Sequence, residues 1–227
     1  RCACLRNYYI RLSAQKCIKR AGYFVVCRPI GQILRPSAFD ISARKGYNIF
    51  IRAMPAGGVQ MEKTEFRLVP PEEYGALEGE IAALWHSAYD ALLGAGQVDY
   101  MTQKFQSAEA MRAQAEGENY LYFRILVGGK VCGYCALKPE KEKLFLSKLY
   151  LCEDKRGQGL GQSALAIVAE YARRLGLRAV YLTVNKGNAR AIRAYEKFGF
   201  VRSGEGVTDI GGGYAMDDYF YEYAVLS

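Results

Sequence analysis

The chain has 227 residues, 51% of them hydrophobic and 24% charged, with seven cysteines and a formal net charge of +8, enough for one domain with a full core or a smaller domain plus an extension. The charge would suggest nucleic acid or an anionic membrane, but residues 1–60 carry 11 Lys and Arg against Asp40 alone, whereas residues 61–227 carry 20 against 22 Asp and Glu. The longer part is therefore an ordinary, slightly acidic globular composition with no nucleic-acid partner expected, and no apolar run approaches the roughly 20 residues that cross a bilayer.

Residues 1–60 show neither helical nor alternating periodicity; short apolar patches such as Tyr23-Phe24-Val25-Val26 are separated by Gly, Pro and Arg. Codons for Gly57-Gly58 can spell a purine-rich ribosome-binding sequence just ahead of Met61, and Met61 leads straight into a strand pattern. The expectation is a basic N-terminal extension over 1–60, untranslated or disordered, and a folded domain over 61–227. Two rivals stay open, an organelle presequence and a basic arm that touches nucleic acid. Pro29, Pro36, four cysteines and the lack of an amphipathic stripe weigh against the presequence. The odd cysteine count points to a reducing compartment, so a cytoplasmic location is expected.

From Met61 onward the spacing predicts a strand over 65–69 that stops at Pro70-Pro71, then a helix over 72–93 with Leu77, Ile81, Leu84, Trp85, Ala88 and Leu92 three and four apart. A second helix is predicted over 98–116. A hairpin follows, 120–127 and 130–138, joined by Gly128-Gly129, a pair suited to positive backbone angles. Cys132 and Cys135 lie on its second strand, where residues three apart face opposite ways, so they read as apolar strand residues rather than a metal or redox pair. Another strand over 144–151 leads into a glycine loop, a helix ended by Gly176, a strand over 179–184, a helix over 189–198 ended by Gly199, and strands over 200–203 and 219–226. The order βααβββαβαββ describes a mixed α/β layer structure.

Arg156-Gly157-Gln158-Gly159-Leu160-Gly161 is the segment with chemistry in it. Its spacing fails the dinucleotide fingerprint, and Gly161 is not followed by the Lys-Ser/Thr of a P-loop. A helix start carries unpaired N–H groups and a positive dipole end, and glycines let a phosphate approach that backbone closely. An anion site is the reading.

The same six residues match Q/R-x-x-G-x-G/A, and the run from Val184 to Phe200, with Asn188, Ala191, Tyr195 and Gly199-Phe200, matches N-x-x-A-x-x-x-Y-x-x-x-G-F. In both, the chain resembles the GNAT superfamily of N-acetyltransferases over about residues 65–225. The resemblance implies a central, mostly antiparallel sheet with two splayed strands, flanked by helices, and transfer of acetyl from acetyl-CoA to a primary amine by direct attack, without a metal. It places the diphosphate of acetyl-CoA on 156–161, and the pantetheine arm along the main chain of Leu149, Tyr150 and Leu151, where an N–H would also stabilise the oxyanion. Asn188 would contact the CoA arm, although an Asn just before Ala189 is equally a helix N-cap. Tyr195 would protonate the departing thiolate, which a phenol with pKa near 10 can do at neutral pH.

Some relatives carry a base on the strand before the loop, but this chain has Ser147 there, which cannot serve alone; a water chain or a carboxylate elsewhere is implied. His86, the only histidine, reads as a satisfied helix residue rather than part of the acceptor site. Asp217 and Asp218, with Glu72, Glu73, Glu78 and Glu80, hint at a cationic acceptor. The pattern is similar to bacterial members that act on small amines, polyamines or protein amino groups, as a monomer or homodimer. The competing reading is a non-catalytic acyl-CoA-binding or regulatory module.

Overall fold

The computed structural model describes residues 64–155 and 157–225, with the backbone of three short strands ahead of them, Lys19–Arg20 (β1), Tyr23–Phe24 (β2) and Asn48–Ile51 (β3). The boundary expected at Met61 and the loop residue Arg156 lie outside the described residues. β1 and β2 form a separate two-stranded ladder, while β3 pairs antiparallel with Thr64–Leu68 (β4) at the edge of the main sheet.

That sheet continues with Leu121–Val127 (β5), Lys130–Pro139 (β6), Lys143–Leu151 (β7), Ala179–Asn185 (β8), Val201–Gly211 (β9) and Tyr214–Ala224 (β10). The strand order is β3-β4-β5-β6-β7-β8-β10-β9, antiparallel at every step except β7 beside β8. The expected mixed α/β architecture is the observed one.

Helices cover both faces. Tyr74–Leu93 (α1), Ala95–Gln106 (α2) and Ala108–Gly117 (α3) pack on one side around Leu77, Ile81, Trp85, Met101, Met111, Tyr122 and Tyr134. Leu160–Arg174 (α4) and Ala189–Phe198 (α5) pack on the other, where Phe123, Ile125, Leu137, Leu146, Leu165, Val168, Leu182 and Tyr221 form the larger core. Across the first side Arg124, 3% exposed, is held by Glu80, to which its Nε donates at 2.9 Å, and by Glu73. A buried guanidinium needs both carboxylates to offset its lost hydration.

Two regions depart from the sequence expectation. The helix over 98–116 is two helices, because Ser107 adopts an extended backbone and its hydroxyl accepts from Ala110 N–H as an N-cap, while Glu78 accepts from Ala108 N–H. The last two strands are also far longer than read. Their glycines, Gly204 and Gly206, lie under the Phe220 ring, and the turn Gly211-Gly212-Gly213 takes positive φ throughout. The tip of this hairpin folds onto α2: the Tyr100 hydroxyl and the Lys104 ammonium both donate to the Ile210 carbonyl, at 2.8 and 2.6 Å.

Cys132 occupies a bulge in β6, since Ile125 pairs with Gly133 and Leu126 with Val131. The bulge breaks the simple alternation on which the facing argument rested. Both thiols are buried and free, Cys135 in the large core and Cys132 in a small cluster with Val127 and Leu160.

Candidate active site

β7 and β8 are paired only at Lys143↔Ala179, Leu144↔Val180 and Phe145↔Tyr181. β7 runs on to Leu151 and β8 to Asn185, the latter now bonded on its other side to β10, so the ladder opens beyond Phe145. A local cause lies at the opening: Ala136 pairs with Lys148 and Leu137 with Leu146, which leaves Ser147 as an extra residue in β7. A bulge of this kind bends its strand and increases the twist. Ser147, the residue in the expected base position, is thus the residue that bends the strand.

Past the bulge, Leu149 and Leu151 pack toward the core under α4, and Tyr150 faces α1. Gly133 on β6 lets β7 lie close, since a Cβ there would meet the Tyr150 carbonyl oxygen at 2.1 Å. The glycine loop sits at the same end of the sheet. Gly157 and Gly159 have φ of 78° and 82°, the left-handed region, and a Cβ at Gly157 would meet nothing within 4 Å. Gly159 is the N-cap of α4, and no side chain caps that end. Leu160 is buried beneath it, the Gln158 amide donates to the Asp154 carbonyl at 2.8 Å, and a Cβ at Gly161 would lie 3.8 Å from the Leu151 side chain. The result is uncapped main chain at the positive end of a 15-residue helix, an arrangement suited to an anion.

α5 brings the second motif alongside. Asn188 caps it, its side-chain oxygen accepting from Ala191 N–H at 3.1 Å; burial raises the pKa of the nearby Tyr89 phenol, and Tyr150 and Asn188 oppose that rise. Gln162 on α4 donates to the Ala194 carbonyl at 2.8 Å, tying the loop to the turn that carries Tyr195. Tyr195 is partly buried against Phe200, and burial raises its pKa. It stays a protonated phenol at neutral pH.

The opposite wall is side chain rather than backbone, and the sequence did not disclose it. Tyr150 stacks on Tyr134 at 5.5 Å and contacts Trp85 at 5.7 Å and Tyr89 at 5.9 Å between ring centroids. The Trp85 Nε1–H donates to the Tyr134 hydroxyl at 2.6 Å, and the Tyr89 and Tyr150 hydroxyls are bonded at 3.0 Å. Lys148 lies 5.7 Å above the Trp85 ring and donates to the Ser147 hydroxyl at 3.1 Å. Burial lowers its pKa to about 8, opposed by the charge of Asp218. Asp218, on β10 opposite Asn185, is shifted upward by burial and held back by Lys148 and the Thr183 hydroxyl.

His86, Asp217, Glu73, Glu78 and Glu80 have other partners. His86 is bonded at its two ring nitrogens by Asp90 (2.8 Å) and Asp99 (3.2 Å). Asp217 pairs with Lys186 at 2.6 Å, and Glu73, Glu78 and Glu80 serve Arg124 and the start of α3. Of the acids named from sequence, only Asp218 shares this wall with Lys148. Among the described residues no group of His, Cys, Asp and Glu is placed to hold a metal ion, and no helix is long and apolar enough to cross a membrane.

Comparison with known proteins agrees with this geometry. The fold resembles the PaiA N-acetyltransferase of Thermoplasma acidophilum in complex with coenzyme A, with a TM-score of 0.56 at 20% identity over 71% of this chain and 98% of that one. It also resembles an acetyltransferase from Thermus thermophilus, with a TM-score of 0.53 at 24% identity over 71% and 96%. In sequence, 109 residues are 28% identical to the ribosomal protein bS18-alanine N-acetyltransferase of Escherichia coli, covering 48% of this chain and 74% of the relative. A stretch of 64 residues is 33% identical to the spermine/spermidine N(1)-acetyltransferase of Bacillus subtilis, covering 28% and 42%. The family model described as the acetyltransferase (GNAT) family matches residues 83–200, more than half of the chain. The chain belongs to that family and is an acyl-CoA-dependent N-acetyltransferase.

Proposed function

We propose that this protein moves the acetyl group of acetyl-CoA to the primary amine of a small molecule or of a protein chain, by direct attack in the opening between β7 and β8. The observation that carries this reading is the opening itself, with the uncapped start of α4 and Tyr195 on the α4–α5 side of the sheet and the Tyr89–Tyr150 pair on the α1 side. In this reading residues 156–161 take the diphosphate on main-chain N–H groups, and the backbone of Leu149, Tyr150 and Leu151 aligns the pantetheine arm. An N–H of that strand faces the developing oxyanion. Asn188 contacts the arm while capping α5, and Tyr195 gives its proton to the leaving thiolate.

The acceptor enters from the α1 side, where Trp85, Tyr89, Tyr134 and Tyr150 form an aromatic wall. The bS18-directed and polyamine-directed relatives, together with Asp218 on that side, favour a protein amino group or a polyamine. The domain is carried by residues 61–227, in a reducing, cytoplasmic setting that suits its free thiols. The test is release of free thiol from acetyl-CoA with a panel of peptide amino termini, polyamines and aminoglycosides. Thiol release with at least one class is expected; acetyl-CoA binding without thiol release on any amine would refute the reading.

A further inference from the structure

The attacking amine must lose a proton, and Ser147, bent into the β7 bulge, cannot take it. A carboxylate elsewhere can, and Asp218 is the one that the fold brings to the opening. β10 pairs with β8 to its end, Asp218 opposite Asn185, so Asp218 sits level with the part of β8 that has left β7. Along β10, Tyr219, Tyr221 and Tyr223 pack on the α4–α5 side and Met216 on the α1–α2 side. Asp218 has the parity of Met216 and therefore faces the aromatic wall and Lys148.

Its surroundings are unusual for a carboxylate on a strand. Oδ1 is shielded from water and has no hydrogen-bond partner, although buried polar atoms are nearly always paired. Four groups influence it: Lys148 from β7, Thr183 from β8, Tyr89 from α1, and Asp217 next to it on β10. Lys148 attracts it but forms no ion pair with it, being anchored to Ser147 and the Trp85 ring instead. An oxygen left without a partner, facing a cation that does not close on it, keeps its capacity to accept a proton from a third group.

We propose that Asp218 is the proton acceptor for the attacking amine, with Lys148 as the positioning residue that keeps Asp218 ionised. This rests on the transfer reaction proposed above. The amine nitrogen forms its bond to the thioester carbonyl carbon as its proton passes to Asp218 Oδ1, and the C–S bond then breaks. Tyr195 protonates the thiolate from the α5 side. Proton exchange with solvent restores Asp218 and Tyr195, so the amide and free thiol are the net products. Base and acid thus come from opposite faces of the sheet, so each serves its own group on the tetrahedral carbon.

The experiment is a pH profile of kcat/KM for the unmodified chain, Asp218→Asn, Asp218→Glu and Lys148→Met, with acetyl-CoA affinity by calorimetry. Alongside it, the carboxyl resonances of 13C-labelled aspartates are titrated, and the Asp218 signal is assigned by its absence in Asp218→Asn. Asp218→Asn should lower kcat/KM at neutral pH by about 100-fold or more, with acetyl-CoA affinity unchanged and a deficit that shrinks as pH rises and free amine accumulates. Asp218→Glu should recover part of the loss. The Asp218 signal should titrate above the ordinary aspartate range, and Lys148→Met should move both it and the acidic limb of the profile upward, because the cation that holds the carboxyl down is gone. A folded-state pKa above the unfolded value means that ionising Asp218 costs stability once pH passes the unfolded value, so Asp218→Asn should not lower Tm at neutral pH. A deficit below threefold, a pH-independent deficit, or a limb abolished by Lys148→Met and kept in Asp218→Asn would overturn the proposal. No thiol release by the unmodified chain would remove the transfer reading and this proposal together, whereas normal release with an inert Asp218→Asn would remove this proposal alone.

Discussion

On the side of the sheet covered by α4 and α5, the site is made of main chain: two left-handed glycines, an uncapped helix start and a strand released from its ladder. On the side covered by α1, α2 and the β9–β10 hairpin, it is made of side chains: four aromatic residues in ring contact, a half-buried lysine and a carboxylate with one unpartnered oxygen. The first arrangement suits a ligand that is the same in every turnover, because backbone N–H groups bind phosphate whatever side chains surround them. The second suits a partner that must be selected, since stacking, charge and hydroxyl placement all depend on residue identity. Damage on the α4 side should therefore appear in acetyl-CoA affinity, and damage on the α1 side in the acceptor's parameters.

The largest effect is expected where the two sides meet. Tyr195→Phe should lower turnover by about 100-fold or more and leave acetyl-CoA affinity within twofold; unchanged turnover would take Tyr195 out of the reaction. Next comes Gly159→Val. A β-branched residue at φ 82° is strained by roughly 1–2 kcal/mol or more, and a difference of about 1.4 kcal/mol is tenfold in an equilibrium constant. Acetyl-CoA should bind about tenfold more weakly while the acceptor KM measured at saturating acetyl-CoA stays the same, and a variant that binds normally would separate the loop from the ligand.

How the two sides could be read from the chain follows from the same contrast. The loop glycines, the Asn188 cap and the helix that carries Tyr195 are local features, fixed by residues a few positions apart, and α5 falls at the expected bounds. Trp85, Tyr89, Tyr134, Tyr150 and Asp218 come from four elements and meet only after folding; singly, each reads as an ordinary core or surface residue. The bulge at Ser147 and the long final hairpin were hidden for a related reason. A bulge has no composition signal of its own, and Gly204 and Gly206 weaken strand propensity although Phe220 covers them from across the ladder. Ser107 was legible, as a favoured cap residue with Glu109 in the turn after it, but the apolar spacing ran through it.

A smaller effect tests the α1 side. Tyr89→Phe removes the hydroxyl bonded to Tyr150, a loss of about 0.5–1.5 kcal/mol, and should raise the acceptor KM two- to tenfold at unchanged acetyl-CoA affinity. If acetyl-CoA affinity falls instead, the two sides are not separate. The smallest effect is expected from a chain beginning at Met61, which lacks the four-residue edge strand β3 but keeps every site residue. Thiol release within threefold of the full chain supports the proposed boundary, and a loss above tenfold would place the preceding segment inside the domain.

Hydrogen exchange with and without acetyl-CoA tests most directly whether main chain grips the donor. Slowed amide exchange confined to residues 146–151, 157–162 and the start of α5 is the predicted result, with α1 and the hairpin tip unchanged. Slowing confined to α1 and the hairpin tip, with residues 157–162 exchanging as fast as before, would contradict it.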